Sequence, residues 1–587
     1  RPGMFENTPL MIDNVLYLST SYNRVVALDA ETGARLWQYD PKAYVDGQPP
    51  NGTGFVHRGV AAWRDGAKLR IFMNSRSHLI CLDAKTGQLV DSFGDHGIVN
   101  LTRGLRWEVD PKRYTNTSPP VVYKNLVILG NGVGDRLVYQ RDPPGDVRAF
   151  DARTGKQVWT FHTTPVKGDP ETETWANDSW NVTGHANVWA PFSVDVQRGL
   201  VYLPVTTPSN DYYGAHRLGN NLFAESLVCL DAATGKRKWH FQIAHHGLWD
   251  YDPPAAPVLV TMTVNDRRID AVVQVTKQGF AFVFDRVTGT PVWPIEERPV
   301  PPSDVRGEQA SPTQPFPTRP PAISAQGVTL DDAFDLTPEL KAQAQAVMRK
   351  YRLGPIYTPP SVQGTMIRPG VVGGANWGSA AFDAETGMLY VKTTNAPAVI
   401  KIVPADHSAA NPRASEVDAD FIGDGSGATT FAGSNTTVEG GGRSGGLPLV
   451  KPPYGELVAI DLNKGDIAWR VPFGDTPSIR ANPALAGVAL PARLGAAGAS
   501  GVIVTKGGLV LGAGGDSTLY AFDKATGQEL THVALGRRAL STPMTYRAKS
   551  GHQFVVIAAG QGPMAALMAF TVQGPLTSSR QPESSTK

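Results

Sequence analysis

Short apolar runs bounded by Gly, Pro, Asn or Asp dominate the chain, among them V-L-Y-L-S-T from Val15, L-V-I-L-G from Leu126, L-V-Y-L-P-V from Leu200 and V-V-I-A-A from Val555. Runs of this length, rich in β-branched and aromatic residues, predict strands. Many of them run into one recurring pattern. A-L-D-A-E-T-G-A-R-L-W, with Asp29, Gly33 and Trp37, returns as A-F-D-A-R-T-G-K-Q-V-W at Asp151, Gly155 and Trp159, and again at Asp231, Gly235 and Trp239. Looser copies centre on Asp83 and Gly87, Asp285 and Gly289 with Trp293, Asp383 and Gly387, Asp461 and Gly465 with Trp469, and Asp523 and Gly527, eight copies in all.

Each copy joins two extended runs through a tight turn, which is a hairpin signature. The Gly accepts positive φ, and the Asp and Thr side chains can bond nearby backbone groups. Repetition of such a unit predicts an all-β fold, an eight-bladed β-propeller, with residues 1–587 forming one domain. A parallel β-helix has much shorter repeats, and an α/β fold needs alternating helices that this pattern lacks. One helix is expected from Pro338 to Arg352, with Thr337 as N-cap and Gly354-Pro355 as stop. It ends a Pro-rich insertion at about 294–360, read as a loop that caps one face.

Composition narrows the function. The 61 glycines and 47 prolines agree with abundant turns, and 41% apolar residues with 12 Trp, 17 Tyr and 21 Phe can bury a large core, which excludes a disordered chain. A net charge of +2 argues against a general nucleic-acid binder. Cys81 and Cys229 are the two cysteines and form no C-x-x-C pattern. A cysteine-built zinc site, a c-type haem and a disulfide framework are therefore excluded. No apolar run reaches bilayer-spanning length, so no transmembrane anchor is expected, and an export signal is expected to have been removed ahead of Arg1.

Between the repeats, E-N-T-P-L, V-H-R-G-V, T-S-P-P, G-N-G-V-G-D, A-N-V-W, T-T-P, H-H-G-L-W-D-Y-D, V-T-K-Q-G and P-M-T-Y follow in order. With them the chain resembles the quinoprotein dehydrogenases, which hold pyrroloquinoline quinone (PQQ) on the axis of an eight-bladed propeller built from tryptophan-docking repeats. H-H-x-L-W-D-x-D and K-P-P-Y-G resemble the glucose, polyol and quinate branch. The adjacent cysteines of the alcohol branch are replaced by Gly52 and Thr53. Gly54 stands where glucose-branch enzymes often carry a histidine, with His57 near in sequence.

The resemblance implies roles residue by residue. Trp189 would stack beneath the quinone and Arg58 would reach it. Glu6, Thr117, Gly132 and Asn187 fall at further cofactor-contact positions, and Asn376 and Trp377 would line the same pocket. Asp135, Thr207 and Asp250 would bind a metal, with calcium preferred. Asp252 resembles the extra acid of rare-earth-dependent relatives, but glucose-branch enzymes share it, and a lanthanide is not expected. Asp250 would be the catalytic base, and Lys277 the cation that donates to the quinone oxygens. His245 and His246 would orient the Asp250 loop. Ala499, where alcohol-branch enzymes have a Trp, would open the substrate side.

The implied activity is oxidation of a sugar, polyol or other secondary alcohol, with a bulky multi-ring alcohol such as a trichothecene mycotoxin as the alternative. No haem motif is present, so electrons would leave to an external acceptor, a cytochrome c or a quinone, in the periplasm. A noncatalytic propeller scaffold stays open as a reading of another class. A hydrolase would need a nucleophile elbow, and none is recognisable.

Overall fold

The computed structural model describes residues 2–571 except 133–140, 411–418, 426, 432–436, 439–441 and 444–445. Leu10–Ile12, Val15–Ser19, Val25–Asp29 and Arg35–Tyr39 pair in chain order as a four-stranded antiparallel sheet. The same meander recurs from Ala61–Asp65 to Ile98–Asn100, from Val121–Tyr123 to Gln157–Phe161, from Ser193–Asp195 to Arg237–Gln242 and from Val502–Val504 to Glu529–Ala534. Three-stranded meanders start at Val258–Val264 and at Met544–Arg547.

First strands of successive sheets touch one another, and fourth strands such as Glu529–Ala534 are largely exposed. The two ends of the described chain also meet. Phe5 N donates to Gly560 O at 2.9 Å and Tyr546 Oη to Ala30 O at 2.7 Å. The sheets therefore close a ring with their first strands innermost.

The repeated turn does what its residues dictate. Asp29 Oδ1 accepts from Glu31 N, Thr32 N and Thr32 Oγ1 at 3.0, 2.8 and 2.9 Å, and Gly33 has φ +72°. Between sheets, Trp37 Nε1 donates to Ala84 O at 2.9 Å, Trp159 Nε1 to Ala232 O at 3.2 Å and Trp239 Nε1 to Arg286 O at 3.3 Å. Each indole lies so near the next turn glycine that a Cβ on Gly87, Gly235 or Gly289 would come within 2.6 Å of it.

One turn stands apart from the rest, and the helix is shorter than expected. The turn at Asp383 does not join third and fourth strands as those at Asp29, Asp151, Asp231, Asp461 and Asp523 do. It joins Ala380–Asp383 to Met388–Thr394, the first two strands of a sheet whose third and fourth, Gly455–Asp461 and Asp466–Pro472, are joined at Asp461. A D-x-x-T-G pattern reports a hairpin, not which hairpin. The helix spans Pro338–Met348, with Thr337 accepting from Leu340 N as N-cap. It stops short of Arg352 because Arg352 N pairs with Gly364 O and Met366 N with Arg352 O.

Candidate active site

In an antiparallel meander the segment entering the first strand and the loop leaving the second lie at the same end. The functional candidates occupy those two positions in sheet after sheet. Glu6, Arg58, Thr117, Trp189, Asp250, Asp252, Trp377 and Ala499 precede first strands, while Gly132, Thr207 and Lys277 follow second strands. Because first strands are innermost, these segments converge at one mouth of the ring. They enclose a cavity of about 1100 Å³ whose wall includes Glu6, Arg58, Thr117, Gly132, Trp189, Asp250, Asp252, Lys277, Asn376 and Trp377. The D-x-x-T-G turns between third and fourth strands lie at the opposite end.

Arg58 holds one side of the cavity. Its guanidinium sits 4.8 Å from the ring centroid of Trp377 and 5.2 Å from that of Trp189, a cation between two indole faces. Glu6 pairs with it at 3.0 Å, and Thr117 O accepts its backbone N–H at 3.0 Å. Burial raises the pKa of Glu6 against the pull of Arg58. Asn376 braces the turn before Trp377, donating to Val372 O at 2.6 Å and accepting from Trp377 N at 2.7 Å.

The opposite group is built on Lys277. Its Nζ lies 2.6 Å from Asp250 Oδ1 and 3.1 Å from Asp252 Oδ2. Burial alone would push the ammonium toward neutrality, but the charges of Asp250 and Asp252 hold its pKa above the ordinary lysine value. Gly373, at φ +80°, is required for this approach, since a Cβ there would stand 2.5 Å from Lys277 Cγ. Asp250 itself has φ +57°, an uncommon conformation for a non-glycine residue. Trp249 Nε1 donates to Thr358 O at 3.0 Å, and Tyr251 Oη to Pro369 O at 2.6 Å, clamping Asp250 from both sides. His245 and His246 reach Glu297 and Glu308 at 3.0 and 2.7 Å. The 294–360 insertion thus supports the Asp250 loop from behind and contributes no residue to the cavity wall.

Not every candidate lies on that wall. Asn187 is fully buried behind Trp189, its side-chain amide without a partner among the described residues. Thr207 is also buried, with its hydroxyl bonded to Asp252 Oδ1 at 2.9 Å and Glu225 Oε1 at 3.0 Å. Asp135 lies outside the described residues. Among the described residues no three His, Cys, Asp or Glu side chains converge as a metal cage. His57 is bonded to Ser19 Oγ and Asn74 Oδ1 and is absent from the wall, where Asn51, Gly52 and Thr53 stand instead.

Sequence reading missed three features. Glu225 is fully buried, and burial, then the Asp252 charge, raise its pKa to about 8. Arg538 lines the cavity beside Ala499 and Leu540. The hairpin Ala398–Pro404 with Phe421–Asp424 supplies Ile400, Val403, Ile422 and Gly423 to the wall. G-R-R-A-L just ahead of P-M-T-Y was a signal for Arg538, whereas nothing local marks Glu225 or the hairpin.

The cavity fits a flat, polycarboxylated quinone: two indole faces, Arg58 and Lys277 as donors, and a carboxylate at Asp250 within one chamber. The family model described as PQQ: Glucose/ethanol/alcohol dehydrogenase, beta-propeller domain, matches residues 1–555. The quinate/shikimate dehydrogenase (quinone) of Acinetobacter baylyi is 32% identical over 94% of this chain and 70% of its own length. The quinoprotein glucose dehydrogenase of Escherichia coli is 31% identical over 95% of this chain and 71% of its own. The glycerol dehydrogenase large subunit of Gluconobacter thailandicus is 32% identical over 95% and 78%. In fold, the quinohemoprotein alcohol dehydrogenase of Comamonas testosteroni superposes with a TM-score of 0.69 at 23% identity, covering 100% of this chain and 76% of that one.

Proposed function

Since the chain belongs to the PQQ-dependent glucose, ethanol and alcohol dehydrogenase β-propeller family, we propose that it oxidises a polyhydroxylated secondary alcohol, of the quinate, sugar or glycerol kind, in the central cavity. The Lys277–Asp250 pair at 2.6 Å, beside Trp189 on the cavity wall, carries this reading. The ring is read as eight blades with tryptophan docking, the last blade starting at Met544.

Trp189, Trp377, Arg58 and Lys277 would hold PQQ, with Glu6, Thr117, Gly132 and Asn376 around it and Asn187 behind. Bound there, PQQ supplies a two-electron oxidant for the hydride of the carbinol carbon. Asp250 would take the hydroxyl proton at a carboxylate oxygen, since it stands on the cavity wall with the Lys277 ammonium 2.6 Å away. Lys277 has a third N–H beyond those given to Asp250 and Asp252, available to an oxygen in the cavity. Asp135, Thr207 and Asp250 would hold calcium, which would supply a Lewis acid there; the Thr207 hydroxyl is bonded to Glu225 and Asp252. Asp252 is saturated by its own donors, which argues against a rare-earth ion. Electrons leave to an external cytochrome c or quinone, and the enzyme is placed in the periplasm.

Gly498 and Ala499 on the wall favour a second reading, a bulky multi-ring alcohol such as a trichothecene. Reconstitution with PQQ and calcium, followed by dye reduction across polyols, sugars, hydroxy acids and trichothecenes, tests both. Turnover of one class is expected; a protein that binds no PQQ overturns them together.

A further inference from the structure

Among the described residues, the cavity wall carries three cationic side chains, Arg58, Lys277 and Arg538. Two already have carboxylates: Arg58 has Glu6, and Lys277 has Asp250 and Asp252. Arg538 differs. Its Nε donates to Gly515 O at 2.8 Å and its Nη2 to Ala497 O at 3.3 Å, both neutral carbonyls. No described carboxylate stands within ion-pair distance of it. Glu6 and Asp516 act on it through space, but both are committed, Glu6 to Arg58 and Asp516 to Tyr520 Oη at 2.7 Å and the backbone N–H of Asp475 at 2.8 Å.

The two carbonyls hold the guanidinium in place and leave its remaining N–H groups, both of those on Nη1 included, for another partner. A fixed planar fork on a cavity wall with unused donors matches the geometry of a carboxylate. Its neighbours Gly498, Ala499 and Leu540 have short or apolar side chains that do not compete for it. The adjacent Arg537 turns away and donates to Met564 O at 2.7 Å.

We propose that Arg538 is a carboxylate-binding residue of this cavity. The carboxylate comes either from the bound cofactor or from an acidic substrate such as a hydroxy acid. This rests on the quinone and alcohol reading above and adds to it a preference for negative charge at a defined position.

The test uses Arg538→Met and Arg538→Gln, the latter keeping a donor for the two carbonyls, with thermal melting to establish folding. Apoprotein is titrated with PQQ by quenching of tryptophan emission. Reconstituted wild type is then compared on quinate and its methyl ester. If the cofactor supplies the carboxylate, both variants bind PQQ about ten-fold or more weakly, the loss expected for a charge-assisted bond. If the substrate supplies it, PQQ affinity holds, wild type favours the acid over the ester by about ten-fold or more, and the variants lose that preference. Variants that bind PQQ within roughly two-fold of wild type and keep its acid-to-ester ratio, whatever that ratio is, overturn the proposal. Should either variant fail to fold, the other variant and the acid-to-ester ratio of wild type still decide. A wild type that binds no PQQ defeats the earlier reading instead.

Discussion

The indole Nε1–H of Trp189 donates to Asp252 Oδ2 at 3.1 Å, and the same oxygen receives Lys277 Nζ at 3.1 Å. Oδ1 of that carboxylate accepts from both the N–H and the hydroxyl of Thr207, at 3.0 and 2.9 Å. Asp252 therefore joins the aromatic platform to the cationic donor and acts as a positioning residue. With every acceptor site used, an amide of the same shape must face donors with a donor. Asp252→Asn is expected to fold and to lose PQQ affinity by about ten-fold, since an unsatisfied buried group costs about 1–3 kcal/mol. Fluorescence titration reads the affinity, and near-UV circular dichroism reads the loosened Trp189. Unchanged values in both would remove Asp252 from this role.

Asp250 separates binding from chemistry. Asp250→Asn keeps the side-chain shape and an oxygen for Lys277 Nζ, so PQQ binding is expected to stay within a few-fold of wild type. Turnover should fall by about 10²–10⁴-fold, the usual contribution of a positioned general base. Single-turnover absorbance of the bound cofactor after mixing with substrate distinguishes the two effects. A full-rate variant would show that the proton goes elsewhere.

How far the chain can be read without its structure depends on sequence distance. The Asp29 turn is legible because its three hydrogen bonds fall within the next three residues. Which strands a turn joins is not legible, and Asp383 is the example: its sheet is completed only after the long excursion to Gly455. The same holds for the site. Trp189 and Lys277 are recognisable inside their short motifs. Glu225 meets Thr207 and Asp252 only through burial, and Arg538 faces a chamber whose other walls come from segments as distant as Glu6, Lys277 and Ile400.

The contact between turn glycines and indoles makes a stability prediction with an internal control. Gly33 and Gly289 have nearly equal φ, +72° and +73°, but a Cβ at Gly33 meets nothing within 4 Å, while one at Gly289 would stand 2.5 Å from Trp239 Cδ2. Gly33→Ala should cost roughly 1–2 kcal/mol for the left-handed backbone alone. Gly289→Ala should cost that and about 1–3 kcal/mol more, because the indole must shift within a packed interface. Paired melting curves measure the difference. Equal losses would mean that the indole gives way freely.

Lys392 makes stability depend on pH. Its Nζ donates to Thr393 O and Ala496 O, each at 2.8 Å, and no described carboxylate pairs with it. Burial pushes its pKa from 10.5 down to about 7; Arg538 adds to this through space, while Asp516 and Glu456 oppose it. The unfolded chain therefore holds a proton on this lysine between about pH 7 and 10.5 that the folded chain has released. Folding stability from this group is fully present above the unfolded pKa and is lost as pH falls through the folded one. Wild type should gain up to about 1.4 kcal/mol per pH unit from this residue across that window. Lys392→Met removes the titration but leaves two carbonyls unpaired, so its absolute stability is expected to drop while its pH slope flattens. Urea unfolding at pH 7 and pH 9 compares the slopes. Parallel slopes in the two proteins would mean that Lys392 keeps an ordinary pKa in the folded chain.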